Sequence, residues 1–317
     1  MRNVLTFLLL LFSLLCNGQS PKLFTTDKEL SSSLINQIYQ DRNGFIWIAT
    51  EDGLNRYDGA KFTIYKHEPN NEHSLAHNFV RTVFEDSKGH LLIGTYIGIQ
   101  MYDPATDNFT PLAKLEDTGE TLESNINSFI ERKNGEIWVS GNVLCKLDIK
   151  DHLLTVRKVD IAVTSPGSLF EDKKQNVWMA KGEEGVYQLT PDNQLTLHLS
   201  KDNGYVKSIC EDQRGNIYVG SIRKGLFIYD KERKTFVPVD LKEKGELPVC
   251  FLYSGIPNEL YIGTDGKGVV IYNIRTHEIS EYKFDNNYFD SGNSKIHSIL
   301  KDNSGNLWLA VYQKGVI

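Results

Sequence analysis

Cysteine and concentrated positive charge are both scarce in this sequence, and each shortage excludes a class of protein. Four cysteines occur in 317 residues, and Cys16 lies in the apolar start of the chain. The other three, Cys145, Cys210 and Cys250, are too few and odd in number for a disulfide framework. The formal net charge is −6 and no basic stretch stands out, so we expect neither nucleic acid nor an anionic membrane surface as a partner.

Long apolar runs are also missing, except at the start of the chain. Arg2 is followed by an apolar run from Val4 to Leu15, and then by the small residues Asn17 and Gly18. This run is too short to span a bilayer comfortably, so it predicts a cleaved signal peptide over residues 1–18 and an exported, periplasmic protein. The remaining residues, 19–317, are long enough for one large all-β domain.

An internal repeat accounts for almost all of residues 19–317. A turn glycine, Gly44, is followed three residues later by Trp47. The glycine position recurs seven times, 40 to 47 residues apart, as Gly44, Gly89, Gly135, Gln175, Gly215, Asn258 and Gly305. The tryptophan position recurs as Leu92, Trp138, Trp178, Tyr218, Tyr261 and Trp308. A period in this range indicates a repeat architecture.

Each repeat predicts four short antiparallel strands. In the first copy, Asn43-Gly44, Asp52-Gly53 and Asp58-Gly59 are hairpin turn signals. The strand over residues 45–50 is apolar on both faces, as expected of a sheet stacked between two neighbours. The prediction is an all-β, seven-bladed β-propeller of four-stranded antiparallel blades. The predicted units are near 34–66, 79–112, 125–159, 165–199, 204–239, 247–283 and 294–317.

The two ends of the propeller are predicted to meet. The seventh unit stops inside its third strand, so we expect a truncated seventh blade. The segment over residues 22–26 precedes the first unit where an outer strand would otherwise lie. We therefore expect this segment to pair with the seventh blade and close the ring, which would protect two sheet edges.

The repeat resembles the two-component regulator propeller repeat, best over residues 40–58 and 299–309. The resemblance extends over residues 22–317. It implies the periplasmic sensor region of a Bacteroidota hybrid two-component histidine kinase that responds to oligosaccharides. It further implies a homodimeric, inner-membrane receptor of which this sequence is an N-terminal fragment, with membrane contact only through further C-terminal segments. The sequence contains no phosphoacceptor His-Glu motif and no nucleotide-binding glycine box, so we expect no kinase activity from it.

Motifs that would carry chemistry have structural explanations here. Asp41, Gly44 and Trp47 form a pattern similar to the Asp-box of sialidases, in which the aspartate caps the turn and the ring packs between blades. His73 and His77 lie four residues apart in a loop, not on a helix, so they do not predict a metal pair. We therefore predict no catalytic residue, no metal and no cofactor.

The loops between the second and third strands differ most among the repeats. In a propeller these loops gather on one face around the central channel, and loops carry function while strands hold the scaffold. Tyrosines there could stack on a sugar ring, and Asp or Arg could bond hydroxyls or a carboxylate. The candidate ligand-binding residues are Asp52, Tyr96, Arg223, Asp265 and Tyr312.

Three functions fit these observations. The first is a non-catalytic sensor propeller that binds an oligosaccharide. The second is an exported propeller hydrolase or lyase acting on glycans, because propeller enzymes assemble their sites from several blades and need no linear motif. The third is a pure dimerisation scaffold. Acidic and Arg side chains that meet over the channel would favour the enzyme, and a flat apolar flank would favour the scaffold.

Overall fold

The computed structural model describes residues 21–199, 201–241, 247–283 and 290–317. The predicted signal peptide, residues 1–18, lies outside this range. The described residues form seven sheets, antiparallel except for one short edge strand, arranged as the blades of a propeller, which confirms the predicted fold class. Within the same residues, we find no helix with the length and apolar character needed to cross a membrane.

The first three blades contain strands β1 to β13. Blade one comprises β1 (Ile35–Gln40), β2 (Ile46–Thr50), β3 (Gly53–Tyr57) and β4 (Phe62–Tyr65). Blade two comprises β5 (Val80–Glu85), β6 (Leu91–Thr95), β7 (Ile99–Asp103) and β8 (Asn108–Phe109). Blade three comprises β10 (Ser128–Glu131), β11 (Ile137–Ser140), β12 (Leu144–Lys150) and β13 (Leu153–Lys158), with β9 (Lys114–Leu115) at its outer edge.

The other four blades contain strands β14 to β28. Blade four comprises β14 (Leu169–Glu171), β15 (Val177–Lys181), β16 (Gly185–Leu189) and β17 (Leu195–Leu199). Blade five comprises β18 (Val206–Glu211), β19 (Ile217–Ser221), β20 (Gly225–Asp230) and β21 (Thr235–Pro238). Blade six comprises β22 (Val249–Ile256), β23 (Glu259–Thr264), β24 (Val269–Asn273) and β25 (Ile279–Tyr282). Blade seven comprises β26 (Ile296–Lys301), β27 (Leu307–Val311) and β28 (Gly315–Val316). Short 3₁₀ turns span Lys201–Asn203 and Ser291–Asn293.

The core lies between neighbouring blades. All five residues of β2 are buried, because both faces of the strand pack against other sheets. Trp47 of blade one, which is fully buried, shares a cluster with Val83 and Ile93 of blade two. Six further clusters occur among the described residues, and most of them span two adjacent blades.

In blades one, four and seven the turn aspartate caps its turn, as predicted, and also binds the indole of the tryptophan in the second strand. Asp41 accepts hydrogen bonds from the backbone N–H groups of Asn43 and Phe45, each at 3.0 Å. Its other oxygen accepts the indole N–H of Trp47 at 2.7 Å. The same indole bond occurs in blades four and seven. Gln175 and Asn258, which replace the turn glycine, also adopt positive φ, at 66° and 63°.

Blade three departs from the four-stranded prediction. The connection from blade two contributes β9, which pairs in parallel with β13 and makes a five-stranded sheet. The blade also lacks the turn aspartate, since Arg132 occupies that position. Glu136 substitutes for it and accepts the Trp138 indole N–H at 3.1 Å. The buried donor is therefore satisfied by a different residue.

The N-terminal segment joins blade seven, as predicted. Phe24 and Val316 exchange two backbone hydrogen bonds, at 2.8 and 3.1 Å. The Phe24 ring stacks on Trp308, with centroids 5.8 Å apart. The chain therefore closes the ring by pairing the segment around Phe24 with the outermost described strand of the last blade.

Hydrogen bonds between the first hairpin turns of neighbouring blades also link the blades. In each such link, a Glu or Gln side chain in one blade accepts a backbone N–H from the turn of the neighbouring blade. The accepting residue directly precedes the turn aspartate of its own blade, or Arg132 in blade three, and the donating residue directly follows the same position in the preceding blade. These bonds, all 2.7 Å long, join Arg42 to Glu85, Ser87 to Glu131, Lys133 to Glu171 and Asn303 to Gln40. The last of them links blade seven to blade one, so it also helps to close the ring.

Candidate functional site

The first strand of each blade is its inner strand, and the inner strands of the seven blades surround a central channel with a volume of about 820 Å³. They are β1, β5, β10, β14, β18, β22 and β26. Consecutive inner strands contact each other around it, from β1 to β26 and back to β1. The channel is the natural place to look for a binding site, because concave pockets of roughly 300–1,000 Å³ hold most small ligands.

In five of the seven blades, a repeated irregularity of the inner strand places one side chain at the channel. In five inner strands the pairing register skips one residue, which leaves that residue without a partner on the next strand. Such a bulge re-aims a side chain and is common next to functional sites. In blades three and four the equivalent residue lies just before the inner strand. We call the seven positions the channel ring: Asn36, Arg81, Asn127, Gly167, Lys207, Cys250 and His297.

Hydrogen bonds between inner strands hold the backbone of the channel ring in place. Asn36 donates its amide N–H to the carbonyl of Val80 in the next blade at 2.8 Å. Asn127 makes the equivalent bond to Pro166 at 3.1 Å. Next to His297, Ser298 accepts the N–H of Ile38 through its hydroxyl at 3.1 Å. Neighbouring blades are therefore pinned to each other at the level of the ring.

The channel ring carries positive charge in a chain whose formal net charge is −6. Its two charged members are Arg81 and Lys207, and neither forms an ion pair with a carboxylate of the described residues. Burial lowers the pKa of both side chains. Both line the same channel, and the charges of Lys295 and Arg81 lower the pKa of Lys207 while that of Asp265 raises it.

His297 is the third basic member of the ring, and it is neutral at physiological pH. Burial, followed by the charges of Lys207 and Lys295, lowers its pKa to about 4. The imidazole of His297 forms a hydrogen bond with the backbone of Ile35, and its Nε2 atom is buried without a hydrogen-bond partner in the described structure. The bond to Ile35 raises the pKa, as expected when a ring N–H donates to a carbonyl. Nε2 is then free to accept a hydrogen bond.

Two tyrosines lie at the mouth of the channel. Tyr205 is 43% exposed and packs over Gly182, where a Cβ atom would approach the tyrosine ring to 3.1 Å. Tyr312 is 39% exposed, and its ring centroid is 5.1 Å from that of His297. Lys295 lies 5.3 Å from the Tyr312 ring and forms a 2.8 Å ion pair with Asp265. Of the residues predicted from the sequence, Tyr312 and Asp265 are thus found beside the channel.

The other three predicted residues do not line the channel. Asp52 is bound to Lys66 at 2.5 Å and to Asn78 at 3.1 Å, so it anchors the loop between blades one and two. Tyr96 is 55% exposed and packs beside the rings of His77 and Phe79. Arg223 pairs with Glu183 at 3.4 Å.

Sequence reasoning missed Arg81, Lys207, His297 and Tyr205. A signal for the first three was present, since each lies five residues before the aspartate of its repeat: Asp86, Asp212 and Asp302. Comparing the repeats at that one position would have shown two cations and a histidine in equivalent places. The bulge that directs these side chains toward the channel cannot be predicted from the pattern of apolar residues.

Cys250 completes the ring as an unreactive side chain. Burial raises the pKa of its thiol, which keeps it protonated at neutral pH. Among the described residues, no group of three or more His, Cys, Asp or Glu side chains is arranged to hold a metal ion.

Comparison with known proteins finds family matches for three segments of the chain. The family model described as "Two component regulator propeller" matches residues 29–52, 74–96 and 200–223. Over 83 residues the chain is 39% identical to a protein named histidine kinase P4 of Formosa agariphila; the match covers 24% of this chain and 6% of the kinase.

Solved structures share the fold. The extracellular domain of a protein described as a hybrid two component system of B. thetaiotaomicron superposes with a TM-score of 0.78 and 22% identity. This superposition covers 93% of the present chain and 41% of that one. Virginiamycin B lyase from Staphylococcus aureus superposes with a TM-score of 0.68 and 14% identity, over 94% and 97% of the two chains. The chain thus spans about two fifths of the first structure and a small part of the kinase.

Proposed function

Because the chain carries repeats of the two-component regulator propeller family, we propose that it is the sensing propeller of a two-component receptor. The proposed site of action is outside the cytoplasm, and the proposed ligand is an oligosaccharide. The match to a histidine kinase and the likeness to an extracellular domain support the first two points. On this view a kinase forms part of the same receptor, which works as a homodimer.

The observation that carries the oligosaccharide proposal is the pair of exposed tyrosines at the channel mouth. Tyr205 and Tyr312 both line the channel and each offers an aromatic face beside a hydroxyl. A sugar presents C–H groups to aromatic faces and hydroxyls to polar side chains. Amphipathic rings of this kind are enriched where one side of a contact is apolar and the other wet.

The composition of the channel ring supports binding without turnover. Most glycoside hydrolases use two carboxylates placed on either side of the scissile bond. None of the seven ring positions is a carboxylate. Three carboxylates line the channel outside the ring. Glu183 and Glu184 are each held by a cation, Arg223 at 3.4 Å and Lys181 at 2.8 Å, which leaves Glu51 as the one that forms no ion pair among the described residues.

His297 gives the enzyme alternative a specific basis. A neutral imidazole with an unpartnered Nε2 atom is suited to abstract a proton, and a lyase requires such a base. The second candidate function is therefore a glycan lyase with its site in the same channel. It predicts turnover that the Gln substitution of His297 abolishes.

Calorimetric titration against a panel of purified oligosaccharides, followed by mass spectrometry of each sugar, tests the proposal. We expect one class of sugar to bind and to be recovered unchanged. Recovery of an unsaturated or shortened product would favour the lyase or a hydrolase. Absence of binding across the panel would overturn the proposal and favour a dimerisation scaffold.

A further inference from the structure

The cations of the channel ring differ from those around the channel mouth in whether they form ion pairs. Around the mouth, three cations form ion pairs with carboxylates: Lys295 with Asp265, Lys181 with Glu184, and Arg223 with Glu183. Glu51, which also lines the channel, forms no ion pair among the described residues. Arg81 and Lys207, which also line the channel, form no ion pair with a carboxylate of the described residues, although the charges of Glu51 and Asp265 act on Arg81 and Lys207, respectively. Ion-paired and unpaired cations therefore occur side by side around the same channel.

Holding these two cations in the ring costs free energy. A charge that is partly removed from water loses solvation, and a second charge of the same sign nearby adds repulsion. Arg81 is half-buried, whereas Lys207 is exposed on the channel wall; the charges of Arg81 and Lys295 repel Lys207, and that of Asp265 attracts it. Two cations that line one channel and form no ion pair with a carboxylate are available to bind an anion from outside.

We infer that the channel ring binds an anionic group, a carboxylate or a sulfate, carried by a sugar ligand. Arg81 and Lys207 are its direct contacts. Arginine can donate two parallel N–H bonds to a carboxylate or sulfate, whereas lysine acts as a compact charge. This inference deepens the proposed function, on which the sugar part of it rests.

The neighbours of the two cations fit the remainder of an acidic sugar. His297 Nε2, which is buried and unpartnered, accepts a hydrogen bond from a hydroxyl close to the anion. Tyr205 and Tyr312 contact the sugar at the channel mouth. A neutral sugar would leave the cations uncompensated, so the same ring selects against it.

The first test compares charged and uncharged forms of one sugar. The purified protein is titrated by calorimetry with tetragalacturonate, with its methyl ester, with a sulfated galactan tetrasaccharide and with the unsulfated galactan tetrasaccharide. We expect binding of the uronate or of the sulfated sugar, but not of its neutral counterpart, and the responding pair identifies the anion. The affinity should fall as salt is raised, because salt screens exposed charges beyond about 10 Å at 0.1 M.

The second test removes the two cations. The Arg81→Gln/Lys207→Gln variant should bind the charged sugar about a hundredfold more weakly, since each charged hydrogen bond contributes about tenfold. The control is Lys88→Gln/Arg214→Gln, which removes two exposed cations from the turns of the same two blades and should bind as the wild type does. Thermal melts check folding, and the single Lys207→Gln variant replaces the double variant if that one unfolds.

The outcomes separate this inference from the proposed function. If neutral sugars bind as tightly as charged ones, or if the control loses as much affinity, the anion site is wrong and oligosaccharide sensing stands. If no sugar binds, the sensing proposal falls, and sodium sulfate then tests the ring alone. Thermal stabilisation by sulfate over chloride at equal ionic strength, lost in Arg81→Gln/Lys207→Gln, would support the anion site. The same stabilisation in both proteins, or none, would overturn it.

Discussion

Phe24 and Val316 lie almost three hundred residues apart in the sequence and exchange two backbone hydrogen bonds in the structure, at 2.8 and 3.1 Å. The pairing adds the N-terminal segment to the edge of blade seven. It also places the Phe24 ring against Trp308, Tyr57 and Phe62, so side chains of blades one and seven meet on one residue. The closure is therefore a packed hydrophobic contact as well as a pair of backbone bonds.

Replacing Phe24 with alanine is expected to destabilise the propeller by about 3–5 kcal/mol, as for other buried phenylalanines. The side chain is 4% exposed and belongs to the core cluster that joins blades one and seven. The denaturant midpoint measures the effect, and Leu153→Ala, at a position 66% exposed, is the control. Gly315→Ala should act in the same direction, since a Cβ there would collide with the carbonyl oxygen of Phe24. An unchanged midpoint in both variants would mean that the closure contributes no stability.

The repeat itself made most of this fold predictable from the sequence. The turn position of Gly44, the large apolar or aromatic residue of each second strand and the pairing of the segment around Phe24 follow from spacing and from simple turn chemistry. These features are local, or are repeated seven times, so each copy supports the others. The parallel strand β9 was not predictable, because it lies in a connection that has no counterpart in the other blades.

The candidate site was harder to predict than the fold. The sequence pointed to the loops between second and third strands, and Asp265 and Tyr312 of those loops do lie beside the channel. Arg81 and Lys207, by contrast, lie inside strands, where an alternating pattern would assign them to a strand face. The bulge turns them toward the channel. Because a one-residue change of register depends on how two strands pair, it could not be predicted from the sequence of one strand.

Replacing Asp41 with alanine is expected to cost about 2–4 kcal/mol of unfolding free energy, measured by denaturant titration. The substitution removes a turn cap and leaves the indole N–H of Trp47 buried without an acceptor. Asp103→Ala is the matched control, because Asp103 caps a turn through Ala105 N–H and holds no indole. Its cost should be about 0.5–1 kcal/mol, the value of a cap alone. Equal losses at the two positions would show that the Trp47 bond adds nothing.

The stability of the protein is expected to fall with pH in a window set by His297. Its pKa in the folded chain is about 4, against an ordinary value of 6.5. Between these values the unfolded chain binds a proton that the folded chain does not. Stability is therefore complete above pH 6.5 and is lost at up to about 1.4 kcal/mol per pH unit as the pH falls toward 4. His297→Gln should flatten the loss in chemical denaturation at a series of pH values.

The same histidine reports on the channel ring in solution. The groups that act on it are Lys207, Lys295, Asp265 and the backbone of Ile35, with the Tyr312 ring beside it. An anion bound between Arg81 and Lys207 would offset the positive charge nearby and raise the pKa of His297. An NMR titration of the imidazole, with and without tetragalacturonate, measures this shift. A pKa that stays fixed when the sugar binds would place the sugar outside the ring.

Three tyrosines on this face distinguish the channel mouth from the neighbouring surface as the sugar-binding site. Tyr205 and Tyr312 line the channel, whereas Tyr96 packs beside His77 and Phe79 away from it. Tyr312→Ala and Tyr205→Ala should each weaken oligosaccharide binding by about 0.5–1.5 kcal/mol, the value of an aromatic contact beyond its buried area. Calorimetry on the sugar that binds the wild-type protein measures the loss.

The matched substitutions in the same experiment separate stacking from hydrogen bonding. Tyr312→Phe keeps the aromatic face, so retained affinity would show that the ring and not its hydroxyl holds the sugar. Tyr96→Ala should bind as the wild type does, because that ring is 55% exposed but does not line the channel. If Tyr96→Ala loses affinity while Tyr205→Ala and Tyr312→Ala do not, the sugar binds over blade two. The cations of the ring would then need another explanation, since a ligand held there would not enter the channel.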